Sequence, residues 1–272
     1  MTDENINLVR RNAAREIIRA HAPCLISFSG GVDSSVLLAV ALQILGPEKC
    51  RAVIVDTPAV PRDGVAAAIQ LATRLGANVE VIADTGEFAD ADFLANSPER
   101  CYFCKRAWFA ALTSLAKERG LVSILHGENA CDDPADRPGS RAAVEYGIVA
   151  PLRDAGITKN EVRQWARELG LPNADVPSAP CLSTRILYGS PITIEKLSLA
   201  EKTEKILREK DFSIVRARIR EEGTHHAVLL QVAPDETPRL LAMQKEIAAL
   251  LAEKEIGRVS FSESGYSGPG LT

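Results

Sequence analysis

The stretch Ser29-Gly30-Gly31-Val32-Asp33-Ser34-Ser35 decides the fold. An apolar run, Cys24-Leu25-Ile26-Ser27-Phe28, precedes it, and a second, Val36-Leu37-Leu38-Ala39-Val40-Ala41-Leu42, follows. That order predicts a strand, a glycine loop and a helix over 34–45 that stops at Gly46-Pro47. Two glycines and three serines at such a junction let backbone N–H groups approach an anion closely, and the helix N-terminus adds its partial positive charge. The stretch holds no lysine. It is therefore not the GxxxxGK[ST] loop, which grips a terminal phosphate with an ammonium group.

Moving outward, residues 5–20 carry Ile6, Val9, Ala13, Ile17 and Ala20 at helical spacing, with Asn5 as a cap. Downstream, 51–55 predicts a short buried strand ending at Asp56-Thr57-Pro58, 63–75 a helix stopped by Gly76, and 79–82 another strand. Strands alternating with helices predict an α/β fold, a parallel sheet with helices on both faces. Ligands of such sheets sit at the carboxyl ends of the strands, where 29–35 and Asp56 both fall. An acidic connector over 84–92 leads to a helix starting near Ser97-Pro98-Glu99-Arg100, whose first turns carry Cys101-Tyr102-Phe103-Cys104-Lys105-Arg106. A strand over 121–125 runs into His126-Gly127-Glu128-Asn129-Ala130-Cys131-Asp132-Asp133, and 158–170 predicts a capped amphipathic helix. The composition shifts at the turn-rich hinge Tyr188-Gly189-Ser190-Pro191. Beyond it come a helix over 193–209, strands over 214–219 and 227–232 around a turn at 221–223, a helix over 235–253 and a strand over 258–262. This predicts a domain over 1–187 and a smaller α+β domain over 188–272, with a mobile Gly/Ser/Pro-rich tail from Ser262.

At 272 residues the chain holds one large domain or two modest ones. A net charge of -4 argues against a protein that wraps nucleic acid. No apolar window of about 18 residues offers a membrane span. The acidic start, Met1-Thr2-Asp3-Glu4-Asn5, lacks the basic and apolar regions of a signal peptide, so a cytoplasmic protein is expected. There, six cysteines read as thiols or metal ligands rather than disulfides.

Cys101 and Cys104 form a CxxC opening a helix beside Lys105 and Arg106, and Cys181 stands far downstream in Pro180-Cys181-Leu182-Ser183-Thr184-Arg185. A zinc site wants four ligands, which Cys131 or a histidine would have to complete. A redox pair of the thioredoxin type lacks its βαβ setting. A [4Fe–4S] cluster on three cysteines leaves one iron open to a further sulfide or a substrate. Three unrelated thiols are the fourth reading. Cys24 and Cys50 read as small core hydrophobes, and His225-His226 as exposed hairpin residues.

Residues 29–35 resemble the PP-loop of ATP pyrophosphatases, SGGxDS after the first strand, against the plainer alternative of a glycine turn capped by Ser34 or Asp33. Enzymes of that kind hold the β,γ-phosphates of ATP in the loop and transfer AMP to a carbonyl or carboxylate oxygen, releasing pyrophosphate. Taken with Val55-Asp56-Thr57-Pro58, Arg100 to Lys105, Gly127-Glu128-Asn129-Ala130, Arg137-Pro138-Gly139 and 180–185, the chain resembles the LarE family of ATP-dependent sulfur transferases, which help build a nickel-pincer nucleotide cofactor.

The resemblance implies a PP-loop (adenine nucleotide alpha hydrolase-like) domain followed by the smaller α+β domain. It implies that ATP adenylates a carboxylate of pyridinium-3,5-biscarboxylic acid mononucleotide and that sulfur then displaces AMP. Ser29, Gly30, Gly31, Asp33, Ser34, Ser35, Asp56 and Asn129 would bind the nucleotide, with Asp33 meeting Mg²⁺ or capping the helix. Cys101, Cys104 and Cys181 would hold a [4Fe–4S] cluster, whose extra sulfide is the sulfur passed on. In family members without the CxxC, the cysteine at the position of Cys181 gives up its own sulfur. Arg185, Glu204, Arg216 and Asp235 are candidates for holding substrate and phosphate, against the alternative of solvated surface charges. Glu128 and Cys131 depart from the expected Thr and Asp, which leaves the place of Asn129 and Asp132 open and Cys131 a stray candidate ligand. Implied partners are a small-molecule nucleotide substrate, donors of cluster and sulfide, and further copies in a homo-oligomer, with neither membrane nor nucleic acid expected. A PP-loop tRNA thiolase, an amidating PP-loop synthetase and a nucleotide-binding sensor are the competing functions.

Overall fold

The structure, a computed structural model, describes residues 3–132, 137–177, 180–222 and 225–266. The chain divides into two units, one of Met1–Asp90 with Cys101–Ala179 and one of Ala91–Arg100 with Pro180–Thr272.

In the first unit α1 (Asp3–Ala20) leads into β1 (Cys24–Ser27), α2 (Val32–Leu45), β2 (Cys50–Val55), α3 (Arg62–Arg74) and β3 (Asn78–Ile82). After α4 (Ala91–Leu94), which belongs to the second unit, come α5 (Arg100–Glu118), β4 (Ser123–His126), α6 (Pro138–Glu145), α7 (Pro151–Asp154) and α8 (Lys159–Glu168). The four strands are all parallel in the order β3-β2-β1-β4, the α/β arrangement that the alternating pattern predicts. Ser27 stands opposite Val53 on one side and His126 on the other, so the loops leaving β1 and β4 emerge side by side. The central strand is apolar without alternation because both its faces are covered. For the same reason α2 has no polar stripe: Val36, Leu37, Leu38, Ala39, Val40 and Ala41 are all buried. Cys24 and Cys50 pair in register, buried, as core thiols. Their mutual hydrogen bond and burial push the Cys50 thiol above its ordinary range.

The strand expected over 121–125 starts later. Leu121 N–H closes the end of α5 on the Ala116 carbonyl, after Gly120 at φ +66°, so Leu121 serves the helix stop. Two short helices, α6 and α7, lie outside the sequence-based expectation; each opens on a proline, Pro138 and Pro151, which suits a first helical turn.

The second unit packs α9 (Ile194–Arg208) on a sheet of β5 (Val215–Glu222), β6 (His225–Val232) and, after α10 (Thr237–Ala242) and α11 (Gln244–Glu253), β7 (Arg258–Phe261). The order is β5-β6-β7, with β5/β6 antiparallel and β6/β7 parallel, around a core of residues such as Leu207, Val215, Leu230 and Ile247. The single helix expected over 235–253 is three pieces. Pro234 and Pro238 restart the backbone, and Met243 leaves helical angles while packing against the core. The tail is corrected over 262–266, where Ser262 and Tyr266 N–H groups bond the Leu230 and Val232 carbonyls at 2.9 and 2.7 Å. His226 is half-buried rather than exposed, and the side chain of His225 and residue Gly223 lie outside the described residues.

Candidate active site

Glycine at position 30 is required twice over. Its φ is +74°, and a Cβ there would lie 2.9 Å from the Ala68 Cβ. The turn delivers Gly31 as the residue before α2, with no side chain capping the helix. Ser34 and Ser35 hydroxyls instead donate back to the Gly31 carbonyl at 3.0 and 2.9 Å, and the Ser29 and Ser34 hydroxyls lie 3.1 Å apart. The capped-turn alternative therefore fails: Asp33 and Ser34 lie inside the first turn of α2, and the cap position is held by Gly31, which has no side chain to cap with. The backbone of Gly127 is pressed onto this end of α2, since a Cβ on it would lie 2.6 Å from the Ser34 nitrogen. The Asn173 amide braces the loop from the other side, donating to the Gly30 carbonyl at 2.7 Å and the Ser35 hydroxyl at 2.9 Å.

Asp33 does not cap the helix. Its Oδ2 meets the Lys159 ammonium at 2.5 Å and its Oδ1 accepts from the Asn129 amide at 3.1 Å. Asn129 is buried and fixed in turn by Asp132, which accepts from its backbone N–H and its side-chain amide, both at 3.0 Å. Asn129 Oδ1 accepts the Cys131 N–H at 2.9 Å, so Asn129 and Asp132 keep a place by the loop despite the altered neighbours. Cys131 is exposed, with Sγ accepting the Lys159 N–H at 3.4 Å. Glu128 turns aside, taking the Ser140 hydroxyl and Arg153 at 2.7 Å each. Asp56 is engaged by the Arg62 guanidinium, which also donates to the Thr57 and Val60 carbonyls at 2.6 and 2.7 Å. Lys159 and Asn173 join the candidate site and are missed by sequence reasoning; the local signal for Lys159 is the capped helix that it opens.

Cys101 is exposed and Cys104 half-buried, one helical turn apart at the start of α5, and neither is in a disulfide. That first turn has no acidic residue. Lys105 lies 4.3 Å from the Trp108 ring, and Arg141 lies 4.0 Å from that of Tyr102. A helix N-terminus among cations favours thiolates and other anions.

In the second unit Cys181 is half-buried at the start of a 3₁₀ turn, Leu182–Arg185. Arg185 and Glu204 are 2% and 1% exposed and form a bidentate pair at 2.6 and 2.9 Å, not the surface charges of the alternative reading. Arg185 also donates to the Pro180 and Cys181 carbonyls at 3.1 and 3.3 Å, which holds the backbone beside the thiol. Glu204 accepts the Ala217 N–H at 3.1 Å as well. Arg216 and Arg218 lie near this pair, and burial pushes both guanidiniums below the usual arginine range, helped by the Arg185 charge. Asp235 is exposed on the 3₁₀ turn Pro234–Glu236.

The NAD synthase family profile matches residues 14–97. The chain is 32% identical over 194 residues to pyridinium-3,5-bisthiocarboxylic acid mononucleotide synthase of Lactiplantibacillus plantarum, covering 71% of this chain and 70% of that protein. The chain belongs to the LarE family of PP-loop proteins. An uncharacterized protein of Synechocystis sp. is 39% identical over 194 residues, covering 71% of this chain and 72% of its own length. A glutamine-hydrolyzing GMP synthase component of Methanocaldococcus jannaschii is 29% identical over 201 residues, covering 68% of this chain and 63% of its own length.

As a PP-loop protein of this family the chain is an ATP-using enzyme. No helix among the described residues is long and apolar enough to cross a membrane. The loop of this LarE-family chain fits a phosphate: Gly31, the residue before α2, has no side chain to cap the helix, and the Ser29 and Ser34 hydroxyls lie beside it. One carboxylate there, Asp33, fits Mg²⁺, which is commonly held by one or two carboxylates plus substrate phosphates. Among the described residues no three His, Cys, Asp or Glu side chains form a ready metal site. The thiols Cys101, Cys104 and Cys181 are of the donor type an iron–sulfur cluster takes, and they are exposed or half-buried rather than sealed in the core.

Proposed function

We propose that this LarE-family chain is an ATP-dependent sulfur transferase that acts on pyridinium-3,5-biscarboxylic acid mononucleotide. The observation that carries the proposal is the uncapped glycine cradle with Asp33, Lys159 and Asn129 around it, on a chain related to the bisthiocarboxylic acid synthase. A carboxylate is a poor electrophile, so ATP first transfers AMP to one of its oxygens. The acyl–AMP bond forms as the bond between the α- and β-phosphates breaks and pyrophosphate leaves. The N–H groups opening α2 and the Ser29, Ser34 and Ser35 hydroxyls receive the β,γ-phosphates, where the helix dipole offsets their charge. Lys159 supplies there the ammonium that the loop's own sequence lacks, and Asp33 would hold Mg²⁺ on the phosphates.

In the second half a sulfur nucleophile attacks the acyl carbon, AMP departs, and a thiocarboxylate remains. Cys101, Cys104 and Cys181 would hold a [4Fe–4S] cluster, which when bound supplies an iron-held sulfide that is nucleophilic without a general base. The Arg185–Glu204 pair fixes the turn that presents Cys181. Arg216 supplies a cation for the substrate phosphate, and Asp235, exposed on its turn, is a further candidate contact to the substrate. The kinship with GMP synthase favours one rival, amidation by ammonia, which leaves the three thiols without a role.

The test is anaerobic turnover with ATP and the mononucleotide, following pyrophosphate, AMP and the mass of the organic product. A gain of about 16 Da per carboxylate, the exchange of oxygen for sulfur, supports sulfur transfer, and an amide product overturns it. Iron and sulfide analysis on wild type and Cys181→Ala, with intact protein mass before and after turnover, decides the sulfur source. Dehydroalanine at position 181 would replace the cluster donor by sacrifice of the cysteine sulfur.

A further inference from the structure

The last described residues run along the second sheet. Beyond the ladder bonds of Ser262 and Tyr266, the Gln231 amide donates to the Gly265 carbonyl at 3.5 Å. Gly265 adopts φ +68°, and a Cβ on it would lie 2.7 Å from Thr237 Oγ1 and 2.9 Å from Pro234 Cα. Only glycine lets the chain turn in that place. The turn lays the Tyr266 ring 4.7 Å from the Arg216 guanidinium and 5.9 Å from that of Arg218.

Neither arginine pairs directly with a carboxylate among the described residues. Arg216 donates to the Val215 carbonyl at 2.8 Å and its buried Nε has no partner among the described residues. Arg218 donates to Gln231 Oε1 at 3.1 Å and to the Thr184 carbonyl. Two cations on one strand, Arg216 half-buried and Arg218 buried at 5% exposed, are thus held by neutral acceptors and one aromatic face. A carboxylate would stabilise them more simply but would neutralise them. A ring attracts a guanidinium through its quadrupole and leaves the N–H edge, the part that grips phosphate, without a counter-charge.

We propose that Tyr266 is a positioning residue that holds Arg216 and Arg218 as an unneutralised pair for a phosphate group of the nucleotide substrate. The proposal rests on the reading of Arg216 as a substrate contact. Arginine–ring contacts of this kind stabilise a cation without consuming its hydrogen-bond donors, so the ring sets where the guanidiniums sit while the phosphate meets their edges.

The experiment uses the full chain as wild type, Tyr266→Phe, Tyr266→Leu, Tyr266→Ala and Arg216→Ala, in substrate-dependent pyrophosphate release. Tyr266→Ala and Tyr266→Leu are expected to raise KM for the mononucleotide roughly fivefold to twentyfold, with kcat and KM for ATP unchanged, while Tyr266→Phe keeps the wild-type values. A merely structural role would lower thermal stability and move both KM values together, which overturns the proposal, as does an unchanged KM in Tyr266→Leu. A second readout is independent of the substrate: the thermal shift produced by inorganic phosphate. Phosphate is expected to stabilise wild type and Tyr266→Phe, to stabilise Tyr266→Leu less, and to leave Arg216→Ala unmoved. If wild type releases no pyrophosphate with the mononucleotide, the substrate reading fails, and the phosphate shift decides Tyr266. An equal shift in wild type and Tyr266→Leu then overturns the proposal, and a reduced one sustains it.

Discussion

At Asp33 the cation that the loop lacks arrives from a helix 126 residues further on. Lys159 holds one carboxylate oxygen and the Asn129 amide the other, which fixes the carboxylate before the phosphates arrive. The ammonium is about one-third exposed, which leaves it able to turn toward an anion. A charge-assisted bond lost from such a place costs about 1.5–3 kcal/mol, so Lys159→Ala should lower kcat/KM for ATP by roughly tenfold to hundredfold in pyrophosphate release. Its thermal stability should stay near wild type, because the pair is partly exposed and such pairs contribute little to folding. Glu204 is the opposite case. Glu204→Gln leaves Arg185 buried without a counter-charge, and about 3–5 kcal/mol of stability should be lost in urea unfolding. The double variant Arg185→Met with Glu204→Leu should recover most of it, since an apolar pair of similar volume asks for no charge balance. A double variant as unstable as the single one would mean that the Arg185 bonds to Pro180 and Cys181, not its charge, carry the effect. At this scale the sequence shows what is contiguous. The loop residues stand together in 29–35, but the partners of Asp33 come from the loop after β4 and from the start of α8, and Asn173 reaches Gly30 and Ser35 from still further along the chain.

Elements carry the same logic over longer spans. Helix α8 begins at Lys159, immediately after a capping box in which Thr158 Oγ1 accepts the Glu161 N–H and the Glu161 carboxylate accepts the Thr158 N–H. The box is legible, since Thr158 and Glu161 sit at the required spacing before an apolar stripe of Val162, Trp165 and Ala166. Its use is not, because position in sequence does not say that the capped turn presents its first residue to the phosphate loop. Thr158→Ala should cost about 1 kcal/mol of stability and, by loosening Lys159, raise KM for ATP. Restoring the cap with Thr158→Ser should return both, whereas recovery of stability alone would show that the cap and the ammonium act independently. Glycine at 127 is a second joint of this kind, where the loop leaving β4 touches the end of α2. Alternation of strands and helices predicts the parallel sheet, and turn chemistry predicts most stops. The misses share a cause, in that local signals compete with tertiary ones. Leu121 looks like a strand residue but closes α5, and Met243 breaks a helix in which the apolar pattern continues unbroken. The tail is rich in Gly and Ser, yet Gly265 and Tyr266 are seated by hydrogen bonds that composition does not reveal.

For the molecule as a whole, stability should depend on pH through a residue that the chemistry does not use. His126 ends β4, 8% exposed, edge-on to Phe109 at 6.0 Å between ring centres. Burial, then the cations Lys105 and Arg153, push its imidazole down to about 3, and its Nε2 has no hydrogen-bond partner among the described residues. The folded chain therefore keeps His126 neutral, while the unfolded chain takes up a proton near the ordinary value of 6.5. Above pH 6.5 neither state binds that proton, and the contribution is fully present. As pH falls below 6.5 the unfolded state gains a proton the folded state refuses, so stability drops by about 1.4 kcal/mol per pH unit toward pH 3. Carboxylates such as Glu161, held below its ordinary value by the Thr158 and Arg10 bonds against burial, add losses of the same sign at lower pH. The window from pH 6.5 to 5 isolates the histidine. Urea unfolding should show wild type losing about 2 kcal/mol across that window, while His126→Gln, which cannot titrate, stays nearly level. Equal slopes in the two proteins would mean that the imidazole is protonated inside the fold, with Glu128, 3.6 Å from Nε2, as its partner. In that event Glu128 would compensate a buried charge, and the departure from the expected threonine at this position would have a structural cause.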